Sequence, residues 1–221
     1  QVQESDEMLI TFDMQHPALA RATTSAFEKQ DQIGVYMTGH GIPLEVAGNF
    51  LNNELLTFDG TKWNPARKLY WDEGSFDVFA YYPYIPSPSG VDDLPFSVAL
   101  DQSATSTDSG LDGYEASDFL WATDQNVTAS DSPVSLSFKH RMSKMVVRLM
   151  KGKDYDGDIP EDAEVYIHNT VPSATIDLSV GIVTRNTHGT AQTIKAKKVN
   201  KTQYTAIVVP QRLTNQVPLV E

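Results

Sequence analysis

Five histidines, His16, His40, His140, His168 and His188, are the side chains of this 221-residue chain best suited to acid–base or metal chemistry. None lies at ligand spacing from another, and a working constellation needs a nucleophile, a base and an orienting group set together. They read as surface or packing residues. Asp154, Asp156 and Asp158 have the alternate spacing of a calcium loop. The sixth position, however, is Ile159 where glycine makes the turn, and the twelfth is Val165 where a bidentate glutamate closes the site. A solvated acidic turn fits them better. Thr38-Gly39-His40-Gly41 is not followed by the Gly-Lys-Ser/Thr that grips phosphate. Asn126-Val127-Thr128 and Asn200-Lys201-Thr202 match the N-glycosylation acceptor, a pattern too short to carry weight. There is no cysteine, so disulfides, thiolate chemistry and cysteine zinc sites are excluded. The residues call for no cofactor and no metal, and the chain reads as non-enzymatic.

The aromatic residues cluster more than the titratable ones do. Trp63, Tyr70 and Trp71 precede Phe76, Phe79, Tyr81, Tyr82 and Tyr84. Exposed in one plane, such rings make a carbohydrate platform, with Trp63 and Trp71 as the candidate contacts; packing in and around a sandwich core uses the same residues.

The elements that must position these groups are strands. Met8, Ile10, Phe12 and Met14 alternate with Leu9, Thr11 and Asp13, the pattern of a half-buried strand. Ile33, Val35 and Met37 repeat it, as do Phe96 to Leu100, Val134 to Phe138, Met145 to Leu149, Ala174 to Ile182 and Tyr204 to Val208. Phe76 to Tyr82 is apolar on both faces, as a strand in mid-sheet must be. Turn clusters at Thr38–Gly41, Asp59-Gly60, Pro86–Gly90 and Asp154–Pro160 separate the runs. Many short strands so punctuated predict sandwiches or barrels. Pro17 to Phe27 is the one helical candidate, and a helix or turn is expected near Glu115 to Trp121. Ser103 to Gly113 reads as a polar, flexible loop.

The formal charge is −12, which excludes nucleic acid and anionic membrane as main partners, since both need a basic face. Residues 1–137 hold 5 basic and 21 acidic side chains, and residues 138–221 hold 12 and 8. That shift predicts two domains, 1–140 and 141–221, divided near Phe138 to Lys144.

Several segments, taken in order, resemble one family, the fimbrillin-like (Mfa-like) subunits of type V pili in Gram-negative anaerobes of the Bacteroidales type. They are Arg21-Ala22-Thr23-Thr24 with Phe27, Asp31 to Met37, Asn52-Asn53, Trp63 and Phe79-Ala80-Tyr81-Tyr82-Pro83-Tyr84. Asp101-Gln102-Ser103, Ser117 to Ala122, Leu136 to His140 and Tyr204 to Gln211 complete the run. The resemblance implies an all-β chain of two antiparallel β-sandwich domains with Greek-key, transthyretin-like topology, the second of them incomplete here.

It also implies a function: a structural or adhesive subunit of a cell-surface fimbria, made as an outer-membrane lipoprotein. The absence of a cysteine is read as a chain that starts after the lipidated one. A maturation protease would remove the first strand at an arginine, and other pilus subunits, joined head to tail, would be the partners; the host or bacterial surface ligand is unknown. Carried onto this sequence, the cleavage falls at Arg21, the one arginine before Arg67. The other reading is a surface lipoprotein that binds glycans through Trp63 and Trp71 without polymerising.

Overall fold

The computed structural model describes residues 7–17 and 26–221. Strands follow in the order β1 (Phe12–Gln15), β2 (Gln32–Gly39), β3 (Leu51–Phe58), β4 (Trp63–Pro65), β5 (Ser75–Tyr82) and β6 (Leu94–Ser97). Next come β7 (Leu120–Thr128), β8 (Val134–Ser137), β9 (Lys139–His140) and β10 (Ser143–Arg148). The last are β11 (Tyr166–Thr170), β12 (Ser173–Asp177), β13 (Ile182–Arg185), β14 (Gln192–Lys195), β15 (Lys197–Asn200) and β16 (Gln203–Val208). The fold is all-β, and the one helical piece among the described residues is a 3₁₀ turn at Glu115–Ser117. No described helix is long and apolar enough to cross a membrane.

Packing divides the chain into two compact units, each assembled from three segments. Unit 1 comprises Gln1–Leu94, Phe119–Arg141 and Asp177–Ile182; unit 2 comprises Pro95–Asp118, Met142–Ile176 and Val183–Glu221. Counted over these segments, the formal charges are −10 and −2, a smaller contrast than a single cut after residue 137 gives.

Unit 1 is built on a six-stranded sheet in the order β4-β3-β2-β5-β7-β9, every pair of it antiparallel. The both-sided apolar run is its middle: Phe76 through Tyr82 are all buried, and so are Ile33 through Thr38 on β2. Gly34 allows the two strands to close, because a Cβ there would run into the Tyr81 ring. The Tyr81 hydroxyl donates to Asn53 Oδ1 at 2.6 Å.

Unit 2 carries the sheets β10-β16-β15 and β11-β14, and most of β13-β12-β6. Its central strand β16 is buried from Tyr204 to Val208. Where β15 stops, the side chain of Gln102 takes over as a strand partner. Gln102 Nε2 donates to Ile207 O, and Oε1 accepts from Ile207 N, both at 2.7 Å. Beyond it, Ser103 to Gly113 is internally hydrogen-bonded rather than loose: Gly113 N donates to Ala104 O at 2.9 Å and Thr107 N to Leu111 O at 2.8 Å.

The alternation from Ala174 to Ile182 is not one strand. β12 ends at Asp177, whose carboxylate accepts from Ser179 N at 2.9 Å, and the chain turns through Gly181 at φ +69°. A β-carbon at Gly181 would stand 2.5 Å from the Trp121 ring. Leu178 O accepts from Trp121 Nε1 at 2.7 Å, which fixes this turn within unit 1.

Candidate functional site

The alternation of Ile10, Phe12 and Met14 seats the first strand on unit 1, with all three side chains buried and Thr11, Asp13 and Gln15 exposed. Met8, expected on the buried face, is 42% exposed, and the buried face of the strand begins at Ile10. Two partners hold it in sequence. At its start Leu9 bridges Tyr70 antiparallel; Ile10 N donates to Leu69 O at 2.8 Å and Trp71 N to Met8 O at 2.9 Å. From Phe12 on it pairs with β8, and that pairing is parallel, in register Phe12↔Val134 to Gln15↔Ser137. Val134 N donates to Thr11 O at 2.8 Å and Phe138 N to Gln15 O at 2.9 Å, closing the two ends of the ladder. Parallel strands need a long crossover between them, and here it is the whole stretch from β2 to β7.

Beneath the strand lies the core of unit 1, in which Leu69, Val134, Leu136 and Phe138 are buried. Burial of Ile10, Phe12 and Met14 contributes about 1.5–3 kcal/mol each. That is enough to keep an eight-residue segment in place and small enough to be matched by another strand of the same pattern.

An aromatic cluster pins both ends of the connection that follows β1. The His16 ring meets Phe27 edge-on at 4.9 Å, and Phe27 meets Trp63 at 4.9 Å and Phe138 at 5.4 Å. Residues 16 and 27 are thus in contact, while residues 18–25 between them, which include Arg21, lie outside the described residues. The Pro17 to Phe27 helix candidate falls largely on the same stretch.

The structure uses the two candidate glycan tryptophans as packing and hydrogen-bonding groups. Trp63 is 7% exposed, with its indole between Phe27 and Phe58. Trp71 is half-buried and donates from Nε1 to Ser130 O at 3.1 Å. Among the histidines, the rings of His16 and His140 meet edge-on at 6.0 Å. His40 Nδ1 bonds the buried Asp77 carboxylate at 2.8 Å, and Asp77 also accepts from Gly41 N at 2.9 Å and Asn126 N at 3.0 Å. Burial alone would raise the Asp77 pKa; these three donors outweigh it and hold it below the ordinary carboxylate value. His168 bonds Thr193 Oγ1 at 2.8 Å and Glu221 at 2.9 Å, on a polar surface cavity of about 320 Å³. Beside it His168 N donates to Leu219 O at 2.7 Å and Tyr166 N to Glu221 O at 2.8 Å, so this group clamps residues 219–221 onto β11. Among the described residues no set of three His, Asp or Glu is placed to hold a metal ion.

Gln102 is the residue whose role sequence reading missed. A buried amide bonded on both faces leaves no periodic signal, and its neighbours Asp101 and Ser103 are those of a loop.

A family model described as fimbrillin-like matches residues 20–220. No curated protein matches the chain. Among solved structures, a protein assigned to cell adhesion in Bacteroides uniformis ATCC 8492 aligns with TM-score 0.67 at 20% identity, over 91% of this chain and 74% of that one. Another assigned to cell adhesion, in Bacteroides ovatus ATCC 8483, gives TM-score 0.64 at 20% identity, over 95% of this chain and 80% of that one. A fimbrial protein of Bacteroides ovatus ATCC 8483 gives 0.55 at 17% identity, over 93% and 42%. At these identities the likeness shows a shared fold.

Proposed function

Because the chain belongs to the fimbrillin-like family, we propose that it is a structural and adhesive subunit of a cell-surface pilus that assembles by protease-triggered strand exchange. The observation that supports this reading most is the first strand. It is seated by three buried side chains and short ladders, and it is joined to β2 through a single connection whose ends meet at His16 and Phe27. A segment attached in this way can be cut free without breaking any other element of unit 1. Cleavage after Arg21 would leave residues 1–21 held by side-chain burial and hydrogen bonds alone. An incoming strand with apolar residues at alternate positions could then take its place, which is β-strand addition.

In this reading the partners are other subunits, added head to tail, and a maturation protease. The precursor reaches the outer membrane as a lipoprotein, and the two units serve as the two sandwich domains. Limited digestion with trypsin tests the cleavage step: the bond after Arg21 is cut before the bond after Arg67, whose guanidinium is paired with Glu54. If Arg21 resists while Arg67 is cut, or if Arg21→Ala matures normally, the processing role is wrong.

A further inference from the structure

The loop joining β2 to β3 has a composition unusual for a loop. Between His40 and Phe50 stand Ile42, Pro43, Leu44, Val46 and Ala47, and Glu45 is the sole acidic or basic residue besides His40. Ile42 is 62% exposed and Val46 47%; Pro43 and Ala47 are exposed as well, and Leu44 is half-buried. A cluster of branched apolar side chains in water is unfavourable, and where one is kept it commonly marks a contact surface.

The loop is also held rigid by its own hydrogen bonds. Ile42 N donates to Gly39 O and His40 N to Ser75 O, both at 2.9 Å, while Asp77 grips His40 and Gly41 from β5. Asn49 Oδ1 accepts from Glu45 N at 3.0 Å, and Asn49 Nδ2 donates to Asn52 Oδ1 at 2.9 Å. Gly41 and Gly48 supply the left-handed turns at φ +75° and +81°, and Phe50 stacks on Phe76 at 4.5 Å. The ordering entropy that a flexible loop loses on binding has already been spent in folding.

The segments that the sheet brings beside it from β5 and β7 carry one sign of charge. The registers Gly39↔Phe76 and Phe76↔Val127 bring the bend at residues 72–74 and the irregularity of β7 at residues 124–127 to this same end of the six-stranded sheet. Asp72, Glu73 and Asp124 are exposed there, as is Glu45 on the loop, and residues 40–50, 71–77 and 123–127 contain no lysine or arginine. We propose that this end of unit 1 is a protein-docking face: an apolar knob, Ile42 to Val46, that packs against the apolar face of a basic amphipathic helix of the partner, whose lysines and arginines meet the four carboxylates. A second copy meeting it through this same face would set carboxylates against carboxylates. The proposal rests on the adhesive part of the function above and not on polymer assembly, so the monomer serves for its test.

The test is a two-dimensional NMR titration of the isotope-labelled monomer with a synthetic amphipathic helix of leucine and lysine. A peptide with serine in place of leucine is the control. The expected result is saturable shifts confined to residues 40–50, 72–74 and 124–127, absent with the control. Ile42→Ser with Val46→Ser should weaken binding by at least about tenfold and leave the thermal transition unchanged. Shifts spread over the acidic surface, equal shifts with the serine control, or binding unaffected by the double substitution would each overturn the proposal. So would a loss seen only with Ile42→Asp and Val46→Asp, because charge repulsion alone then explains it.

Discussion

Replacing Gln102 by methionine keeps the length of the side chain and removes every hydrogen bond it makes. Gln102 is fully buried, and its amide is the partner of Ile207 N–H, Ile207 C=O and, at 3.2 Å, Ala99 C=O. A buried backbone group left without a partner costs about 1–3 kcal/mol. With two close bonds lost and some apolar burial gained by the thioether, the expected destabilisation is about 3 kcal/mol, a large share of the ~5–15 kcal/mol that a domain has. Urea unfolding followed by far-ultraviolet circular dichroism measures the loss, and hydrogen exchange at the Ile207 amide localises it. Gln102→Glu separates hydrogen bonding from shape. Its carboxylate can accept from Ile207 N–H but repels Ile207 C=O, while its neutral form can donate to that carbonyl. The folded pKa is therefore raised, and relative to the parent the variant should be most stable below about pH 4 and lose stability as pH rises through the folded value. A methionine variant within 0.5 kcal/mol of the parent, with Ile207 still protected, would refute the strand-partner role of this side chain (a threshold of about half the net worth of one hydrogen bond).

Gly181→Ala should cost about 2 kcal/mol or more in thermal or urea unfolding, because the backbone is left-handed at φ +69° and the new methyl meets the Trp121 ring. Asp77 titrates below its unfolded value, so its contribution is present above about pH 4 and is lost as pH falls through the folded pKa. Asp77→Asn should therefore flatten the acid limb of a stability–pH curve. Burial pushes the Tyr36 hydroxyl up to about 12, and that hydroxyl has no hydrogen-bond partner among the described residues. Its contribution is present below about pH 10 and is lost as pH rises towards 12. Tyr36→Phe should be neutral or stabilising at pH 7 and should extend the alkaline limit measured by circular dichroism.

Much of the fold could be read from alternation, because alternation reports which face of a strand is buried. Phe76 to Tyr82 announced a mid-sheet strand and became β5, between β2 and β7. Alternation is silent about partners, so nothing in Phe12 to Gln15 told that its neighbour would be β8 or that the pair would be parallel. Side chains that act as backbone, such as Gln102, and turns set by one glycine, such as Gly181, escape it for the same reason. The two units escape it too. Pro95–Asp118 and Asp177–Ile182 carry no linker composition, yet each packs with a unit other than that of the residues before it. Clustered aromatics gave position without role: Trp63 is enclosed by Phe27 and Phe58, while Ile42 and Val46, in a loop without an aromatic residue before Phe50, stand in solvent.

Strand exchange itself is the direct test. The protein would be nicked with an arginine-specific protease, the folded nicked form isolated, and an isotope-labelled peptide copying residues 1–21 added. Mass spectrometry of the folded fraction then follows replacement of the resident strand. The nicked protein should take up the labelled strand and release its own, while intact protein takes up none; a peptide with Ile10→Asp and Phe12→Asp should fail to enter. Uptake that is equal in intact protein, or a nicked protein that never exchanges even in mild urea, would contradict the account.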